Sequence, residues 1–106
     1  MFARNVSLYL KPNVIAEFLK LMDSEIIPLL RKQKGFQDAI TLAVPGGREI
    51  VAISFWEQEE NARAYTMTGY LEVLTILEQL LDGTPHVRTL DVVSSTIHKI
   101  PSRVAA

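Results

Sequence analysis

Residues 28–65, PLLRKQKGFQDAITLAVPGGREIVAISFWEQEENARAY, decide the fold. Arg31, Lys32 and Lys34 crowd a last helical turn, where cations suit the helix dipole, and Gly35 supplies a left-handed exit. From Phe36 to Val44 the alternation puts Phe36, Ile40, Leu42 and Val44 on one face with Asp38, and Gln37, Ala39, Thr41 and Ala43 on the other. Pro45-Gly46-Gly47 is a turn between strands, and Arg48 to Trp56 returns with Ile50, Val51, Ala52, Ile53 and Phe55. This second strand is apolar on both faces and needs cover on both. Helices supply one cover; in a chain of 106 residues the other is expected to be a second copy of the same subunit.

Upstream, Val6, Leu8 and Leu10 alternate with Asn5, Ser7 and Tyr9 as a first strand. Pro12 breaks it, and Asn13 is placed to cap a helix carrying Val14, Ile15, Phe18, Leu19, Met22, Ile26, Leu29 and Leu30. Pro28 cannot donate to the Ser24 carbonyl, which predicts a kink or break. Downstream, Glu57, Glu59 and Glu60 open a helix near Glu57, and Met67-Thr68-Gly69 divides it from a second segment bearing Leu71, Leu74, Leu77, Leu80 and Leu81. Gly83 and Pro85 stop that segment. A last strand is expected from His86 to His98, ended by Pro101, with a loose tail over Ser102 to Ala106. The order is β-α-β-β-α-β, an α+β, ferredoxin-like single domain over residues 1–106.

Composition narrows the function classes. With 11 basic and 12 acidic residues the net charge is -1, so the chain lacks the electrostatic footprint of a nucleic-acid or membrane-surface binder. There is no cysteine, which removes disulfides, thiolate metal sites and thiol nucleophiles. No run approaches the roughly 20 apolar residues of a membrane span and no export signal opens the chain, so a cytoplasmic protein is expected. A 48% hydrophobic content leaves apolar surface for a homodimer interface.

The β-α-β-β-α-β order, with Pro28-Leu29-Leu30 leading to Gly35-Phe36 and then Phe55-Trp56-Glu57, Asn61-Ala62 and Tyr65, resembles the antibiotic biosynthesis monooxygenase family over nearly the whole chain. The resemblance implies a dimeric α+β barrel and, in the best-known branch, cofactor-free oxidation of a small aromatic or quinol-like substrate by molecular oxygen. Such a pocket needs aromatic walls and a few polar donors. Asn5, Trp56 and Tyr65 are the candidate catalytic residues, expected between helices and sheet; no cofactor and no metal are expected. A non-catalytic barrel binding a hydrophobic small molecule is the alternative. A heme-degrading relative is a further one; its strand-one Asn matches Asn5, but its helical Trp and its His fall on Tyr65 and Thr75.

Each candidate also has a plainer reading. Trp56 is as well placed to be a core aromatic, Asn5 a solvated strand residue, and Tyr65 or Tyr70 amphipathic packing. His86 and His98, at opposite ends of a twelve-step strand roughly 40 Å long, cannot share a metal and are expected exposed. Asp38 and Asp91 interrupt apolar strands and call for partners such as Arg48 or Arg88. Gly46-Gly47 is a hairpin turn, not a phosphate loop, since no helix start follows it.

Overall fold

The computed structural model describes residues 1–100. The order is β1 (Phe2–Tyr9), α1 (Ile15–Leu21), a π-helical turn (Met22–Ile26), α2 (Ile27–Arg31), β2 (Phe36–Ala43), β3 (Glu49–Trp56), α3 (Glu59–Met67), α4 (Gly69–Leu77), a 3-10 turn (Glu78–Leu80) and β4 (His86–Asp91). The four strands form one antiparallel sheet in the order β2-β3-β1-β4, which is the expected ferredoxin-like α+β arrangement. Pairing of Arg4 with Ser54, Val6 with Ala52 and Leu8 with Ile50 sets one face of the sheet against the helices. Asn5, Ile53 and Phe55 point to the second face.

The core lies between the helices and the first face. Phe18, Ile26 and Leu30 from the first helical pair meet Leu10, Ile50 and Trp56 from the sheet and Leu77 from α4. α3 and α4 run nine residues each, short of the roughly 12–15 that persist alone in water, so this packing rather than propensity holds them. Each fully buried aliphatic or aromatic side chain contributes roughly 1.5–3 kcal/mol.

Pro28 produces the expected irregularity by a specific device. The chain widens into a π turn just before it, with the Ile27 N–H donating to the Met22 carbonyl five residues back, and Pro28 then stands in the first turn of α2, where no N–H is needed. The break at Thr68-Gly69 also occurs, and α3 and α4 are separate segments. The hairpin closes through the Gly47 N–H on the Val44 carbonyl and the Val44 N–H on the Glu49 carbonyl.

Three local expectations are corrected in the first half of the chain and the helix that follows it. Asn13 is not a helix cap: it takes φ +63° and the helix begins at Ile15, with Val14 at the cap position and no side-chain cap. Phe36 does not share a face with Ile40. A bulge at Gln37 lets Phe36 pair with Trp56 while Asp38 pairs with Phe55, which turns Phe36 toward the helices. The third helical segment begins at Glu59, two residues later than expected, because Gln58 and Asn61 form a reciprocal capping box.

The last strand ends at Asp91, not His98, and the chain beyond it leaves the edge and crosses the second face. His98 lies 3.6 Å from Asp38 on β2, its ring 5.9 Å from that of Phe55, so it is neither exposed nor at a strand end. Asp38 therefore has His98 as its neighbour, beyond hydrogen-bond distance, while Arg48 pairs with Asp82 at 3.2 Å. The expected Pro101 stop and 102–106 tail lie outside the described residues. Elsewhere the second face stays apolar and open: Leu42 is 50% exposed and Tyr9 52%, with Ile40 and Leu90 also exposed.

Candidate ligand pocket

A pocket opens between the helices and the first face of the sheet, enclosing about 60 Å³. Phe18, Met22, Leu77 and other aliphatic side chains form most of its wall; Arg4, Thr41, Ser54, Tyr65 and Tyr70 supply its polar atoms. Among the described residues, no histidine and no carboxylate lines it.

Arg4 was not among the residues singled out from the sequence, yet it is 1% exposed and occupies the pocket's centre of charge. Two-residue periodicity carries it there: it is in phase with Phe2, Val6 and Leu8 on β1, so the register that buries those residues buries it too. Its guanidinium carbon stands 4.2 Å from the Tyr70 ring centroid and 5.1 Å from that of Tyr65. Both are cation–π distances, of the order of 0.5–2 kcal/mol each. Burial pulls the Arg4 pKa below its ordinary value, and the two tyrosines oppose that shift. Arg4 forms no ion pair among the described residues, and its Nε and Nη2 have no hydrogen-bond partner.

Tyr65 and Tyr70 reach the same space although they are five residues apart, because the break at Thr68 reorients α4 relative to α3; their rings are 6.0 Å apart. Burial pushes the Tyr65 hydroxyl up to about 12 against the pull of Arg4. The Tyr70 hydroxyl is raised for the same first reason, with Arg4 again opposing. Near neutral pH both are un-ionised, able to donate a hydrogen bond but not to act as bases.

The three residues singled out from the sequence divide. Tyr65 lines the pocket. Trp56 does not: it is fully buried behind Tyr65, stacked on it at 4.9 Å with 28° between planes, met edge-on by Phe36 and donating its indole N–H to Ser54 Oγ at 2.9 Å. Its place is the core aromatic one, and it holds Tyr65 from behind. Asn5 points to the second face of the sheet, opposite the pocket, with its Oδ1 buried and unpartnered. The structure thus brings Tyr65 and Trp56 together and leaves Asn5 apart. No group of three or more metal-ligating side chains occurs among the described residues, and none of their helices is long and apolar enough to cross a membrane.

No family profile matches the chain, and no curated protein matches it by sequence. Its fold, however, is shared with solved structures. A protein of unknown function from Nitrosomonas europaea, NE2512, aligns over 95% of this chain and 94% of its own at 20% identity, with a TM-score of 0.75. The monooxygenase ActVA-Orf6 of Streptomyces coelicolor, solved with nanaomycin D, aligns over 95% and 92% at 22% identity, TM-score 0.74. SnoaB, a cofactor-independent oxygenase from Streptomyces nogalater, aligns over 92% and 97% at 17% identity, also at 0.74. The resemblance drawn from the sequence to the antibiotic biosynthesis monooxygenases is thereby met at the level of the fold.

Proposed function

We propose that this protein is a cofactor-independent monooxygenase of the antibiotic biosynthesis monooxygenase type. It acts on a small aromatic or quinol-like molecule in the pocket between helices and sheet, and works as a homodimer joined through the second sheet face. The observation that carries this reading is an apolar pocket whose few polar groups include two un-ionised tyrosines and a buried arginine, on a fold shared with a monooxygenase and with an oxygenase described as cofactor-independent.

Tyr65 and Tyr70 would hold substrate oxygens through their hydroxyls, and Trp56 would keep the Tyr65 ring in place. Asn5 belongs to the face assigned to the subunit contact. In the reaction, the electron-rich ring of the ionised substrate passes an electron to dioxygen, and recombination forms a carbon–oxygen bond. Protonation gives a hydroperoxide on a ring carbon that still bears its hydrogen, and loss of water from it leaves a carbonyl where that C–H stood: one oxygen atom enters the product and one leaves as water.

Oxygen-electrode assays across single-ring hydroquinones test it. Substrate-dependent oxygen uptake is expected from the wild type and a fall of about 100-fold from a folded Tyr65→Phe/Tyr70→Phe variant, the scale of losing positioned donors. Full retention in that variant sinks the assignment. A second reading, a dimeric barrel that binds a hydrophobic small molecule without turnover, is favoured by the lack of any histidine or carboxylate base on the pocket wall. Ligand retention with no uptake across the panel would select it.

A further inference from the structure

We propose that Arg4 is an anion-binding residue, and that the ligand of this pocket presents an ionised oxygen, carboxylate or aryloxide, on an apolar body no larger than a single ring. The inference rests on the pocket being the ligand site, as in the reading above, but not on oxygen chemistry.

Two features of Arg4 lead to it. The first is an unbalanced charge. A guanidinium 1% exposed has lost its water, and an unpaired buried ion costs several kcal/mol even after the protein relaxes. The ring faces of Tyr65 and Tyr70 return part of that. They do not return all of it, and among the described residues no carboxylate pairs with Arg4. The second feature is which atoms remain free. Tyr70 also shares a hydrogen bond with the guanidinium, but Nε and Nη2 are buried without a partner of good geometry, and they form one edge of it, with two N–H groups pointing the same way. That edge matches the two oxygens of a carboxylate, while the two tyrosine rings stand 4.2 and 5.1 Å from the guanidinium carbon.

The rest of the pocket sets the size and polarity of the ligand. Thr41, Ser54, Tyr65 and Tyr70 are neutral donors or acceptors, and the remaining wall is apolar. An anion entering here meets one cation and no competing negative charge, in surroundings of low dielectric where the attraction is strong. The enclosed space of about 60 Å³ is below the roughly 150 Å³ of an apolar cavity that admits benzene, so even one ring requires the wall to give. The π turn at Met22–Ile26 and the break at Thr68-Gly69, both beside the pocket, are the irregular points of that wall.

The test uses pairs of probes equal in shape and unlike in charge. Benzoate and benzamide are titrated into the ¹⁵N-labelled full chain, with affinities read from amide shifts and the contact read from the Arg4 Nε–H resonance, assigned by its loss in Arg4→Met. Benzoate should bind at least about tenfold more tightly than benzamide, the scale of a charge-assisted hydrogen bond, and should move the Nε–H signal. Arg4→Met, which keeps the apolar volume, should erase the preference while leaving benzamide affinity unchanged. 4-Nitrophenol, titrated below and above its ionisation, separates the sources: tightening on ionisation without benzoate binding selects an aryloxide, the reverse a carboxylate.

Equal binding of benzoate and benzamide, a preference that survives in Arg4→Met, or an unmoved Nε–H signal overturns the proposal and leaves Arg4 satisfied by water and tyrosine faces. Should the variant not fold, the Nε–H signal is assigned instead through its couplings along the Arg4 side chain, and it decides together with the wild-type probe pair. The oxygenase reading fails separately. Charge-selective binding without oxygen uptake keeps the anion site and removes the oxygenase, while uptake unaffected by Arg4→Met does the opposite.

Discussion

Gly35 and Asn61 meet so closely that a β-carbon on the glycine would collide with Asn61 Cγ. Gly35 also has φ +79°, in the left-handed region, and its carbonyl accepts the Glu57 N–H at 2.8 Å. One position therefore ends the first helical pair, starts β2 and seats the residue that caps α3. Gly35→Ala should cost the backbone penalty of about 1–2 kcal/mol plus about 1 kcal/mol for displacing Asn61 from the capping box. Gly83→Ala, at φ +87° in open space, should cost the backbone part alone. Urea midpoints of the two variants check the difference; equal shifts would mean that Asn61 moves aside freely.

Trp56 and Tyr65 form the aromatic stack behind the pocket wall. Because the indole N–H is held by Ser54 and no part of the ring is exposed, Trp56 is predicted to matter for stability more than for ligand contact. Trp56→Ala should lower unfolding free energy by about 3–5 kcal/mol. Trp56→Phe should cost less and change ligand affinity only through Tyr65. Loss of binding in a Trp56→Phe protein of wild-type stability would instead place the indole in contact with ligand.

Burial of the Tyr65 hydroxyl gives a stability change with a defined sign. Its pKa is raised in the folded chain, from 10.0 to about 12, so the folded state favours the protonated phenol. The contribution is complete below pH 10 and is lost as pH climbs toward 12, because there the unfolded chain ionises and the folded one does not. The slope is about 1.4 kcal/mol per pH unit across that window. Denaturation midpoints from pH 9 to 11 should fall more steeply for the wild type than for Tyr65→Phe; parallel curves would show that Tyr65 ionises as freely folded as unfolded.

Much of this arrangement was legible in the sequence because it depends on local chemistry. Pro28, Gly35, Pro45-Gly46-Gly47 and Thr68-Gly69 act through their own backbone preferences, and each marks an irregularity or turn that the structure contains. The bulge at Gln37 and the early end of β4 were not legible, since both are settled by partners across the sheet: Phe36 joins Trp56, and His98 meets Asp38. The site was half legible. Tyr65 followed from family resemblance, whereas Arg4 carried a sequence signal that was passed over, a charge in the apolar phase of Val6 and Leu8. Asn5, one residue away, falls in the opposite phase and on the opposite face.

That second face carries the last prediction. Ile40 and Leu42 on β2, Tyr9 at the end of β1 and Leu90 on β4 are 38–52% exposed, and Val51 and Ile53 lie between them on β3. Face-to-face packing of two such sheets would remove this surface from water at roughly 25 cal/mol per Å² of apolar area, the gain that drives association. Among the described residues, the segment after β4 meets this face at the end near Phe55 and Asp38. The protein should therefore sediment as a dimer at micromolar concentration. Leu42→Glu should shift it to monomer, since a carboxylate in that contact would lose its water without a partner. A wild-type monomer, or a Leu42→Glu dimer, would assign the open face to something other than a second copy. In sedimentation runs Leu71→Glu is the control: Leu71 is 56% exposed on α4, away from the sheet, and its substitution should leave the assembly unchanged.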